Sequence, residues 1–263
     1  MFKREMKVNF KNFIIWSLIL IGIFLVVYLV YPSIVNSTDV KMMDEMMSMF
    51  PEEMLKAFNM DISSIDSAYG WLKSEGFIFV LLIIGCYAGI LGSNILLKEE
   101  NDKTIEYLNA LPVKRTNVVL SKVSAALIYI VGMVLVIGLF NFIGLSFSGD
   151  FDKKQFILIS LTPIFSSIVI FAVCLFISTF TNKTKKMFAV SMGIVFISYM
   201  LQILSTLSEE VEFLKYLSVF TLADLRNVIL DISINPVMII ISFILTIIFI
   251  LLSVIHYNKK ELV

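Results

Sequence analysis

Charged residues punctuate the chain, and between them run six long apolar stretches at 12–38, 76–97, 123–149, 155–182, 187–208 and 232–255. A helix needs about 20 such residues to cross a hydrocarbon core of about 30 Å, and every stretch is long enough. Unpaired backbone groups are too costly in lipid for open strands. The pattern therefore predicts an all-α membrane protein with six transmembrane helices in a single domain spanning 1–263.

Composition agrees with the pattern. A hydrophobic share of 59% against 16% charged residues lies outside the range of soluble domains, which must cover a water-facing surface. The formal net charge of +0 gives no reason to expect a nucleic-acid partner, but the signs are segregated along the chain. Basic residues gather at Lys3, Arg4, Lys7 and Lys11, at Lys98, Lys103, Lys114, Arg115 and Lys122, at Lys183, Lys185 and Lys186, and at Lys259 and Lys260. The alternate connections carry acids: Asp39 to Asp66 in the first, and Glu209, Glu210 and Glu212 in the last. Positive flanks stay in the cytoplasm, which predicts both termini inside and the connections 36–75 and 209–231 outside.

Several segments carry finer expectations. In residues 1–12, Phe2, Met6 and Phe10 share a stripe continued by Phe13, while Lys3, Lys7 and Lys11 occupy another. This is the pattern of an interfacial N-terminal helix, or of a basic flank that only sets topology. Met43, Met47, Phe50 and Met54 fall on one helical face in the first outer connection, with Pro51 as a breaker. Met42, Met43, Met46, Met47 and Met49 are thioether donors of the kind that binds Cu(I). Adaptable packing is methionine's commoner use, and no metal site is assigned. Gly85, Gly89 and Gly92 form a small-residue stripe on the second span, suited to close packing within the bundle or against a second copy. Phe213, Leu214, Leu217, Phe220, Leu222, Leu225 and Ile229 predict one or two short amphipathic helices at the outer interface.

Catalytic chemistry is poorly represented. His256 is the only histidine and suits an interfacial anchor, so no HExxH pair exists, and the chain has no GxxxxGK[ST] phosphate loop. Cys86 and Cys174 both fall within spans, where a thiol acts as a small apolar group. The six stretches contain no Asp, Glu, Lys or Arg in their interiors, which argues against an ion-driven carrier. Asn94, Asn141, Thr162 and Gln202 either line a path or bond between helices.

One cytoplasmic segment, 98–115, stands apart. Asn101 or Asp102 is placed to cap a helix, acids suit its first turn, and Pro112 ends it. Ile105, Leu108 and Leu111 then share a face too short to build a core, so it needs the membrane surface or a partner. The run EENDKTIEYLNALPVKR resembles the signature of ABC-2 type permeases, the membrane subunits of bacterial ATP-binding-cassette exporters. Glu99 and Glu100 match its paired acids, Thr104 its Thr, Glu106 the next acid, Leu108 and Leu111 its leucines, Pro112 its Pro and Arg115 its Arg. Lys103 replaces the usual Gly.

The resemblance implies a coupling helix between spans two and three, to which Ile105 also belongs, docking onto separate cytoplasmic ABC ATPase subunits that hold the ATP and Mg. It further implies a non-catalytic permease, without a cofactor of its own, paired with a second permease as homodimer or paralogue. The setting would be the bacterial cytoplasmic membrane, crossed several times with both termini in the cytoplasm. A regulatory or scaffolding membrane protein that binds a cytoplasmic partner without transport is the alternative.

Overall fold

The computed structural model of the chain describes residues 1–37, 67–102, 104–105, 113–207 and 209–260. Six helices in it are long and apolar enough to cross a membrane, and the described residues contain no strand. The Met-rich segment with Met42, Met43, Met46, Met47 and Met49 lies outside the described residues, as do Lys103, Glu106, Leu108, Leu111 and Pro112.

Helix α1 runs Phe2–Ser37 without interruption. Residues 1–12 therefore form no separate interfacial helix; they are the first turns of α1. No Gly or Pro precedes Gly22 to break the helix, and a second polar stripe packs into the bundle. Glu5 and Asn9 are buried, the Tyr129 hydroxyl donates to Met6 O, and Lys3, Lys7 and Lys11 remain exposed.

Helix α2 occupies Ala68–Asn94 and starts earlier than the charges suggested. Ser67 Oγ accepts from Gly70 N at 3.0 Å, capping Ala68–Trp71, and a π-helical turn at Leu72–Gly76 leads into Phe77–Asn94. The outer connection expected over 36–75 thus gives way to helix at Ala68. Lys73 is tolerated because its ammonium sits 4.7 Å above the Tyr69 ring.

A short α3 (Lys98–Asn101) follows, then α4 (Arg115–Ser148). Helix α5 (Lys153–Ser178) breaks at Thr162, because Pro163 lacks an N–H for the helical ladder and restarts the second half at Pro163–Ser178. Helices α6 (Thr184–Leu207), α7 (Arg226–Asp231) and α8 (Pro236–Lys259) complete the chain.

The second half of α5 is central: α2 packs on one side, α8 on another, while α6 lies on α2 and α1 along α4. In the most apolar window of α2 and of α5 61% is buried, against 17% in α1 and in α8. The latter two therefore present most of their apolar surface outward, as lipid-facing helices do. Gly92 explains how α2 and α5 come so close. A Cβ there would collide with Phe171 O and stand 3.2 Å from Leu175 N, so only glycine fits between the backbones. Gly85 faces Phe220 and Ile170, and Gly89 faces Ser191 and Ile170. All three glycines thus pack inside the chain's own bundle.

The connection between α6 and α8 folds back into the bundle. It forms 3-10 turns at Glu209–Tyr216 and Val219–Ala223 before α7. Phe220, Leu222 and Leu225 are buried, whereas Phe213 and Leu217 in the first half and Ile229 on α7 are exposed, so the apolar surface presented outward comes mainly from the first half. Gln202 serves this closure by accepting from the Thr221 hydroxyl at 2.7 Å. At the same end Tyr69 donates to Gln155 Oε1 at 2.8 Å, over a cluster of Phe142, Phe151 and Phe156.

Candidate functional site

The opposite end gathers the N-terminus, the 98–115 connection, the α5–α6 connection and the C-terminal tail. Its centre is the acid pair. The chain leaves α2 at Asn94, turns through residues 95–97 and enters α3, which carries Glu99 and Glu100 in its first turn. Consecutive helical residues point about 100° apart, so two neighbouring carboxylates reach different parts of the bundle. Both are buried, at 3% and 9% exposure.

Glu99 meets Lys122 of α4, itself only 1% exposed. Lys122 Nζ donates to both Glu99 carboxylate oxygens at 2.7 Å and to Ile95 O at 2.7 Å. Ile95 O lies just past the end of α2, where carbonyls lack intrahelical partners and the helix dipole favours a cation. Glu5 of α1 stands on the far side, its Oε1 3.5 Å from the same ammonium. A lone charge buried here would cost several kcal/mol; paired and hydrogen-bonded, it ties α1, α2, α3 and α4 together.

Glu100 meets the chain's other end. Lys260 Nζ donates to Glu100 Oε1 at 2.9 Å, to Oε2 at 3.0 Å and to Thr181 O at 2.9 Å. Arg115 Nη1 donates to Lys260 O at 2.9 Å, and Asn258 Nδ2 to Thr116 Oγ1 at 3.1 Å. One carboxylate thereby links α3 to the tail of α8, the α5–α6 connection and the start of α4.

Beyond the acids, Thr104 N donates to Glu99 O at 2.9 Å and closes the turn. Ile105 is buried with Val118 and Met1, inside this chain's own fold. Arg115 is committed to the tail, as above. The remaining predicted positions, Glu106, Leu108, Leu111 and Pro112, lie outside the described residues. Of the polar residues singled out in the spans, Asn141 Oδ1 accepts from Tyr28 Oη at 3.3 Å and Thr162 Oγ1 donates to Leu158 O at 2.8 Å. Asn94 Oδ1 has no partner among the described residues. His256 stacks on Phe180, ring centroids 4.1 Å apart. No group of three or more His, Cys, Asp or Glu among the described residues is placed to hold a metal ion.

Sequence reasoning missed the partners of the acid pair. Lys122 reads in the sequence as one of the basic residues of the connection, yet Val119, Lys122, Ala126 and Tyr129 share the buried stripe of α4, and a lysine in such a stripe signals a buried counter-ion. Glu5 was the lone acid of a basic segment, which is a similar signal.

Compared with known proteins, the sequence model of the family described as ABC-2 family transporter protein matches residues 1–262. No curated protein and no solved structure gives a significant match.

Proposed function

Since this chain belongs to the ABC-2 family of transporter proteins and is a multi-pass membrane permease, we propose that it forms half of an exporter driven by separate ATPase subunits through the segment 98–115. The observation that carries the reading is the double anchorage of Glu99 and Glu100. A segment that receives force needs a stiff base. Here that base is joined by buried ion pairs to α1, α4 and the tail of α8, and by Thr181 O to the α5–α6 connection.

In this reading the basic end faces the cytoplasm of a bacterial cell membrane, where the positive-inside rule puts it. ATP and Mg bind on the ATPases, and this chain contributes no catalytic group. Leu108 and Leu111 present the apolar contact to the ATPase, because Ile105 is already used within the permease. ATP-driven closure moves the segment, the anchored base rotates with it, and two permease copies rock against each other as rigid bodies. Glu99 and Glu100 therefore act by holding the lever and make no direct contact with the partner.

The test replaces Leu108 and Leu111 by Asp. Loss of the copurifying ATPase, with the permease still folded in the membrane, is expected; retention of the ATPase with unchanged turnover would overturn the docking role.

A further inference from the structure

Beside the buried trio of Glu5, Lys122 and Glu99, a cavity of about 220 Å³ opens between α1 and α2. It exceeds several times the ~30 Å³ share of one water. Its wall includes Glu5, Asn12, Trp16, Tyr87, Asn94 and Lys98.

The charge balance of the trio is uneven. Lys122 hydrogen-bonds Ile95 O and both oxygens of Glu99, whereas the Glu5 carboxylate stands at 3.5 Å as an ion pair, without a hydrogen bond among the described residues. Two carboxylates against one ammonium leave one negative charge. The carboxylate that Lys122 does not hydrogen-bond is the one that lines the cavity.

Three further polar atoms belong to lining residues and are buried without a partner among the described residues: Tyr87 Oη, Asn94 Oδ1 and Thr184 Oγ1. Tyr87 is 2% exposed. The Glu5 carboxylate only accepts, so the wall suits a group rich in N–H donors. The Trp16 and Tyr87 rings, with centroids 6.0 Å apart, add faces that attract a cation. Lys98, which is exposed, brings the opposite charge to the rim.

We propose that this cavity binds a primary ammonium group linked to a phosphate, the chemistry of ethanolamine phosphate, with the ammonium toward Glu5 and the phosphate toward Lys98. A quaternary ammonium has no N–H to offer the acceptors and is disfavoured. The group arrives either as a lipid headgroup or free in solution. The site is independent of the ATP-coupled reading, because no ATPase takes part in it.

The experiment uses the full chain in nanodiscs, reading Trp16 fluorescence in a Trp71→Phe background. One arm adds ethanolamine-headgroup lipid to choline-lipid discs; a second titrates soluble phosphoethanolamine into choline-lipid discs; a third titrates phosphocholine. A saturable shift in the first arm, absent from the third, is expected, and its presence or absence in the second separates the free from the lipid-borne source. Glu5→Gln should weaken the response about tenfold or more, as loss of a charged hydrogen-bond partner does. Lys98→Gln, on an exposed residue outside the buried trio, should weaken it comparably without perturbing the fold. Equal responses to ethanolamine and choline groups, no response in either ethanolamine arm, or unaltered responses in both variants would overturn the assignment.

Discussion

Lys122 shows how much one buried side chain can decide. Its ammonium is the shared counter-ion of Glu99 and Glu5, so Lys122→Met leaves two carboxylates buried without a cation. Removing one partner of such a pair typically costs about 3–5 kcal/mol. Thermal unfolding of the detergent-purified variant should reveal a loss of this order, and adding Glu99→Gln should restore part of it through coupling within one network. A Lys122→Met chain as stable as the parent would show that the trio does not form. Lys260→Ala is milder, since Lys260 keeps about a tenth of its side chain in solvent while Glu100 is buried. It should cost about 1–3 kcal/mol and expose the tail to limited proteolysis; an unchanged cleavage pattern would refute its role as a clasp. The acid pair was legible from its place in the motif. Its partners were not, because Lys260 is 160 residues away from Glu100 in sequence and only the closed bundle brings them together.

Among the elements, the six helices could be read from hydropathy because lipid leaves a chain few alternatives. Their ends were less legible. The apolar run begins at Gly76, yet Lys73 and Glu75 are accommodated in α2, one over an aromatic ring and both near the helix start. Pro163 was present in the sequence, but the apolar run around it concealed the break in α5. The glycine stripe had two readings, and packing resolved it toward α5, α6 and the Val219–Ala223 turn. That resolution is testable within one helix. A methyl group at Gly92 would meet the Phe171 backbone, which cannot swing aside, so Gly92→Ala should cost about 1–3 kcal/mol, as overpacking does. At Gly89 the nearest atom to an added Cβ is 3.4 Å away, an ordinary contact, so Gly89→Ala should stay within about 0.5 kcal/mol of the parent. Equal melting temperatures for the two variants would contradict the close approach of α2 and α5.

At the scale of the whole molecule, segregated charge and folded contacts agree. The termini and the connections at 98–115 and 179–183 meet at one end, while the acidic connection at 209–231 closes the other. The chain is thus organised as a bundle whose basic end is cross-linked by ion pairs, to which the proposed lever is fixed. Val113, exposed beside that lever, should react as Val113→Cys with a membrane-impermeant maleimide only from the cytoplasmic side, in a chain whose Cys86 and Cys174 are replaced by Ala. The most direct measurement of the coupling itself places a photo-crosslinking residue at position 108 in cells that make the complete transporter. A covalent adduct with a nucleotide-binding ATPase is the expected result. An adduct confined to lipid or to the permease's own helices, with the ATPase never captured, would contradict it.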